Sequence, residues 1–377
     1  MTSLYNRLMD VNSFSFKSFK ELSKGLTKKK RMDLLKSFSS DAVHFQLCIN
    51  ERPAIYLRSK PLELLINDLK SKNAELNSLF REIEPSLMSS YLEMMMVKEI
   101  EASLSFSKYE DKEDDIFFSL HEKRYSASKE VSSFCLAYSL LKEGVRCPLS
   151  SLEDVSNSYM RLFRGLLKEE EEPDGLYFRD SKIKGSDIDD EQGIKYALKE
   201  TLYFLSSPGL SIYEKCALLS FFTLYSKPFY KGNLSFSSYL SSSLLFNEAG
   251  PCSSFIVARS IKEHRRLIDE AYKDSISRSG YSDISIYVYF FLKALGESYS
   301  SAIMALRKKR AVDVKEDELG RLLSLASSYS LYGLSIRDLS KMLSLSSRSI
   351  IRHLSLYKEK GLLRIVKIQK ALYYSLL

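Results

Sequence analysis

The stretch "IYEKCALLSFFTLYS", residues 212–226, is apolar on nearly every side, with Ala217, Leu218, Leu219, Phe221, Phe222 and Leu224 spread round a helical turn. A helix without a polar face has no surface to give to water, so it belongs at the buried centre of its domain. Its ends are marked. Pro208-Gly209 makes a turn ahead of it, and Ser211 with Glu214 has the spacing of a capping box that opens a helix. Pro228 closes it, because the residue before a proline is pushed out of the helical region. The chain has 377 residues, enough to wrap a substantial core around such a helix and to form two or three domains.

Composition narrows the class. The sequence is 45% hydrophobic and 28% charged, an ordinary balance for a globular protein. It has no uninterrupted apolar run long enough to span a membrane, and "MTSLYNRLMDVNSFSFKSFK" lacks the apolar core of a secretory signal. Cys48, Cys135, Cys147, Cys216 and Cys252 are odd in number and widely spaced, which argues for free thiols in a reducing compartment, so a cytoplasmic location is expected. Four scattered histidines give no metal-binding constellation. Met94-Met95-Met96 is expected to fill core or interface space.

Three regions separate along the chain. Residues 1–115 read as helices with basic punctuation, such as "LTKKKRMDLLKSF" and "PLELLINDLKSKNAELNSLF", and close in the charged "KYEDKEDD". Residues 116–312 are also mostly helical. Their least helical part is "KEEEEPDGLYFRDSKIKGSDIDDEQG", where Pro173, Gly175, Gly185 and Gly193 punctuate a turn or short hairpin. Two long amphipathic helices are expected near 253–275 and 284–310. Residues 316–377 have another texture: a short helix at 335–343, a tight turn, a second helix at 346–358, then two β-forming runs, "LLRIVKI" and "ALYYSLL", around Gln369-Lys370. Helix, turn, helix and hairpin is the order of a winged helix-turn-helix.

After the buried helix comes "KPFYKGNLSFSS", residues 227–238, which opens on Lys227-Pro228-Phe229, turns at Gly232-Asn233 and runs into another helix. This stretch resembles the motif H-P-F-x-[D/E]-G-N-G-R-x-x-R of the Fic family, whose usual activity is transfer of AMP from ATP to a hydroxyl of a target protein. Other stretches resemble the family in the same order. "DGLYFRDSKIKG" resembles the flap segment, commonly G-x-[Y/F]-R, and offers Gly175, Tyr177, Phe178 and Arg179 for it, with one residue more between glycine and arginine than that pattern has. "SIKEHRRLIDEAY" and "YSDISIYVYFFLKAL" resemble the two helices that follow the motif, with Asp283-Ile284-Ser285 at a helix start. The resemblance covers roughly residues 90–377 and implies a mainly α fold. That fold is a Fic-type helical bundle with a short β-hairpin flap, followed by the C-terminal winged helix.

The same resemblance shows where this sequence departs from an active relative. Lys227 stands at the general-base histidine, and an ordinary lysine is protonated at neutral pH. Lys231 stands at the acidic magnesium ligand, where a like charge repels the metal. Leu234 replaces the second glycine, and Ser235 and Ser238 replace the two phosphate-clamping arginines with single neutral donors. Pro228, Phe229, Gly232 and Asn233 are retained. The family's inhibitory pattern, [S/T]-x-x-x-E-[G/N], fits best at "EIEASLSFSKYE", with Ser103 first and Ser107-Lys108 where Glu-Gly would stand. The inhibitory glutamate and the arginine it pairs with are thus both absent, as expected if their losses are coupled. Two readings of the loop stay open: a decayed site, or a rebuilt anion site in which Lys227, Lys231 and the amides at Gly232 and Asn233 attract phosphate without metal.

The excess charge of the chain, 56 basic against 48 acidic residues, lies mostly at one end. From Leu334 onward there are nine basic residues and two acidic ones, a formal +7, as a module neutralising DNA phosphates requires. Within "SLSSRSIIRHLSLYKEKG", Ile350, Ile351, Leu354 and Tyr357 read as the buried stripe. Ser346, Ser347, Arg348, Ser349, Arg352 and His353 read as the groove-facing set, and Lys367 and Lys370 at the hairpin tip as contacts to a neighbouring groove or backbone. The expected partner is therefore DNA, with protein docking or self-association as the alternative, no membrane and no metal. ATP and magnesium enter only if the chain is an adenylyltransferase working through its altered residues.

Overall fold

The computed structural model describes residues 43–49, 52–109, 113–121, 127–184, 186–276, 282–310, 318–368 and 371–377. The "LTKKKRMDLLKSF" segment, Lys370 and the Gln369-Lys370 tip lie outside these residues. The first described elements are strands, which corrects the all-helical reading of the N-terminal region. Strand β1 (Val43–Ile49) and strand β2 (Arg52–Tyr56) pair antiparallel, and β2 pairs in parallel with a two-residue strand much later in the chain, Ala54 opposite Ser282 and Ile55 opposite Asp283. Alternation explains β1: Phe45, Leu47 and Ile49 point into the core while their neighbours face out.

Helices then dominate. They are α1 (Lys60–Arg81), α2 (Pro85–Phe106), α3 (Glu113–His121), α4 (Lys129–Lys142), α5 (Leu152–Phe163), α6 (Glu191–Ser206), α7 (Ile212–Ser226) and α8 (Asn233–Glu248). The all-round apolar helix is α7. Every residue from Cys216 to Thr223 is buried, and Ser211 and Glu214 form the expected capping box, with Ser211 Oγ accepting from the Glu214 N–H. Arg58 and Tyr56 reinforce that cap by donating to Glu214, Arg58 Nε at 2.7 Å from Oε1. β2 is thereby tied to the start of α7. Helix α8 packs along α7.

The single helix expected near 253–275 is three: α9 (Pro251–Ser254), α10 (Val257–Glu263) and α11 (Arg265–Ser275). One cause is Glu99 of α2, whose buried carboxylate accepts the N–H groups of Ala258 at 2.6 Å and Arg259 at 3.2 Å. Those amides open a new helix rather than continue an old one. Strand β3 (Ser282–Asp283) leads into α12 (Ser285–Arg310), where Asp283 Oδ1 accepts from the Ser285 N–H at 3.1 Å, as the helix-start reading expected. Helix α12 lies against α1, α7 and α11.

The C-terminal elements come in the expected order: α13 (Glu318–Tyr329), β4 (Leu334–Ser335), α14 (Ile336–Leu343), α15 (Ser347–Glu359), β5 (Leu363–Ile368) and β6 (Ala371–Leu376). The three strands form one antiparallel sheet in the order β4-β6-β5. The turn between α14 and α15 is made by Ser344 at φ 52°, a left-handed position held here without glycine. This module is anchored on the rest of the chain by aromatic contacts, with Phe117 of α3 lying 4.9 Å from Tyr332 and 5.4 Å from Tyr373, ring centre to ring centre. Arg321 adds a 2.6 Å ion pair to Glu84. Among the described residues, no helix is long and apolar enough to cross a membrane.

Candidate functional site

The loop after α7 is held by four aromatic rings. Phe229 is buried, and its ring stacks on Tyr159 at 3.5 Å; Tyr159 stacks in turn on Phe163 at 4.6 Å, and Phe178 meets Phe229 edge-on at 5.7 Å. Tyr159 also donates from its hydroxyl to the carbonyl of Lys231 at 3.1 Å. Gly232 is fixed by two constraints: its φ is 71°, and a Cβ there would lie 2.1 Å from Phe163 Cζ. Asn233 closes the loop, its Nδ2 donating to the Phe229 carbonyl at 2.6 Å and its Oδ1 accepting the Phe229 N–H at 3.1 Å. The side chain of Asn233, read as a member of an anion site, is therefore committed to the loop's own backbone.

The two lysines face different surroundings. Lys227 takes a left-handed backbone (φ 41°, ψ 64°) at the end of α7. Burial, and then the charge of Arg179, hold its ammonium below the usual lysine range. Lys231 points elsewhere. Its Nζ lies 3.4 Å from Glu171 Oε1 and 5.0 Å above the centre of the Tyr109 ring. Burial works against its charge, but Tyr109 and Glu171 outweigh that and raise its pKa. It stays an ammonium ion at neutral pH, already paired.

The two serines at the arginine positions face the protein interior. Ser235 Oγ donates to the carbonyl of Ser103 at 2.7 Å and lies 2.7 Å from Ser107 Oγ. A hydroxyl has one proton to give, so Ser107 is the donor in the second bond. Ser107, read at the inhibitory glutamate position, thus touches Ser235, one of the two serines read at the arginine positions. Lys108, at the family's Gly/Asn position, has φ 61°, the conformation for which those residue types are suited. Ser238 Oγ lies 3.0 Å from the carbonyl oxygens of both Leu234 and Ser235, so its single proton is shared between two acceptors of its own helix. Both serines are fully buried, whereas Leu234 is half-buried against the core.

The flap expectation requires correction. Residues 174–184 contain no strand, because the amides that would build a ladder are taken locally. Glu191 accepts the N–H groups of Tyr177 at 2.7 Å and Phe178 at 3.1 Å, and Gly175 donates to the Phe178 carbonyl at 2.9 Å. A Cβ on Gly175 would lie 2.5 Å from that carbonyl oxygen. Arg179 is wholly buried and knits this segment to the motif loop. It donates to the carbonyls of Lys227 (2.7 Å), Ser181 (2.6 Å), Ile188 (2.9 Å) and Ser226 (3.1 Å), and to Ser186 Oγ at 2.9 Å.

Magnesium does not fit this donor set. The position of the metal ligand carries an ammonium ion paired with Glu171, and the hydroxyls at the clamp positions are bonded within the helices. Among the described residues no group of three or more His, Cys, Asp or Glu side chains converges as a metal site. Glu171, Tyr109 and Tyr159 were not foreseen as parts of this site. Glu171 sits in a run of acids that reads locally as a solvated turn, and only its distance to Lys231 distinguishes it.

At the other end of the chain, α15 presents to solvent most of the residues expected to face a groove. Ser346 caps the helix, its Oγ accepting from the Ser349 N–H at 3.2 Å. Ser346, Ser347, Arg348 and Arg352 are exposed, as is Lys367 on β5, while Ser349 is half-buried. Two readings are corrected. His353 is half-buried rather than outward, with Nδ1 2.9 Å from the Ser349 carbonyl. Ile351, assigned to the buried stripe, is 50% exposed; Ile350, Leu354 and Tyr357 suffice for the core, and residue 351 is rotated about 100° from them.

No protein-family model and no curated protein matches the chain. Solved structures do. A Fic family protein from Desulfovibrio desulfuricans G20 superposes with a TM-score of 0.52 at 17% identity, over 83% of this chain and 95% of that one. Fic-1 from C. elegans superposes with a TM-score of 0.50 at 12% identity, over 77% of this chain and 81% of that one. The order of elements, the loop after the buried helix and these superpositions agree: the chain is a Fic-fold protein.

Proposed function

We propose that this chain is a catalytically degenerate Fic-fold protein that acts as a DNA-binding regulator or scaffold through its C-terminal winged helix. The observation that carries the reading is the pair Arg348 and Arg352, exposed one turn apart on the N-terminal half of α15 behind the Ser346 cap. A guanidinium placed there reaches phosphate or the O6 and N7 edge of guanine. Every other basic residue described from Arg337 to Lys367 is also exposed, and none of them is in an ion pair among the described residues. In a gel shift with duplex DNA, the full chain is expected to bind, and Arg348→Ala with Arg352→Ala to weaken binding at least tenfold. Binding to another protein, unaffected by both replacements, supports a docking role for the module instead.

A second reading, transfer of AMP or a related phosphate-containing group through altered residues, is favoured by one observation. Lys227 is partly buried beside Arg179, and burial and then that charge lower its pKa from the usual lysine range, the direction a substitute base requires. Labelled ATP incubated with the chain and candidate protein acceptors separates the two. Label transferred by the wild type and lost in Lys227→Ala establishes the enzyme reading.

A further inference from the structure

We infer that Ile351 is a specificity residue that reads the C5-methyl group of a thymine beside a guanine contacted by Arg348 or Arg352. The inference rests on the DNA-binding reading above and deepens it. Single exposed aliphatic residues are common and need no function of their own. The argument here is from position.

Helix α15 buries Ile350, Leu354 and Tyr357. At about 100° per residue, Arg348, Arg352 and Ser355 fall on the opposite side, and Ile351 lies beside them, three residues after Arg348 and four before Ser355. All four are exposed, with Ile351 at 50%. The patch is therefore two guanidinium groups and a hydroxyl around one branched hydrocarbon, near the capped start of the helix. A recognition helix offers its N-terminal turns to the base edges. The thymine methyl is the apolar group that the edges of the four bases present in the major groove, and guanine offers the paired acceptors that arginine matches. Leu356, at 51% exposure, is a weaker candidate. It lies on the other flank and further from the helix start, where the helix leaves the groove floor.

The test begins by selecting bound sequences from a random duplex library with the full chain. Each thymine of the selected site is then replaced by deoxyuridine, which removes only the methyl group. At one or two positions this change is expected to weaken binding by wild-type protein about three- to tenfold, the worth of one buried methyl. With Ile351→Ala protein, the same replacement is expected to have no effect, since the two deletions then remove one contact. Neutral deoxyuridine at every position, with Arg348→Ala and Arg352→Ala still weakening binding, overturns the inference and leaves the DNA reading standing. Failure to enrich any duplex removes both. The deoxyuridine arm uses unmodified protein, so it does not depend on how well a variant folds.

Discussion

Ser107 Oγ and Ser235 Oγ lie 2.7 Å apart in the protein interior, joining the end of α2 to the first turn of α8. On the alignment read from the sequence, Ser107 falls at the glutamate position and Ser235 at one of the two arginine positions, and here the two hydroxyls meet. A buried ion pair needs both members, because either one alone leaves an uncompensated charge. By that requirement neither charge is tolerated at this buried contact without the other, whereas a pair of neutral hydroxyls is.

The coupling is measurable by chemical denaturation. Ser235→Arg alone is expected to destabilise the protein by about 3–5 kcal/mol, since it buries a guanidinium against the Ser103 carbonyl with no carboxylate at hand. Combining it with Ser107→Glu is expected to recover at least ~1 kcal/mol relative to the sum of the single changes. Additive losses would show that the two positions do not communicate.

Gly232 and Gly361 make a matched pair, with φ 71° and 69° respectively, but only Gly232 has a ring in the way of a Cβ. Gly361→Ala is expected to cost about 1 kcal/mol, the backbone term alone. Gly232→Ala is expected to cost at least ~2 kcal/mol more, because Phe163 must move out of its stack with Tyr159. Equal losses would mean that the ring gives way freely.

Arg179 holds the flap segment to the motif loop through five acceptors, which a lysine with three donors cannot all reach. Arg179→Lys is expected to destabilise by ~3 kcal/mol. Trypsin is expected to cut faster after the exposed Lys182 in the same variant. Unchanged cleavage would show that the segment is fixed by other contacts.

Glu99 supplies a pH dependence. Burial raises its pKa from 4.5 to about 7, against the opposing hydrogen bonds from Ala258, Arg259 and Ser242. A folded-state pKa above the unfolded one means that the folded protein binds the extra proton. The associated stability is complete below about pH 4.5, declines as pH rises and is lost above about pH 7. The expected fall across that window is on the order of 3 kcal/mol, and Glu99→Gln is expected to flatten it. A wild-type profile already flat there would contradict the assignment.

Legibility followed the range of the interactions. The capping box at Ser211 and Glu214, the proline stop at Pro228 and the helix start at Asp283 are set by neighbours in sequence, and all three were readable. Strands β1 and β2 were missed because their sheet is completed by Ser282 and Asp283, more than two hundred residues away. The break near Ile256, between α9 and α10, involves the Glu99 side chain, which comes from another helix and which periodicity does not register. The motif residues were identifiable by type, but their partners were not. Nothing local points Lys231 to Glu171, or Ser235 to the carbonyl of Ser103. Ile351 was misplaced because an apolar residue beside a buried stripe looks like part of it until its exposure is known.

The central claim, that the exposed cations of the C-terminal module bind DNA, is tested most directly by the salt dependence of affinity. Fluorescence anisotropy with a labelled duplex, titrated between 50 and 200 mM salt, gives the slope of log K against log salt concentration. Neutralising about five phosphates predicts a slope near −4.5, and a shallower one for the Arg348→Ala, Arg352→Ala double variant. No binding at the lowest salt, or a slope near zero, would contradict the account.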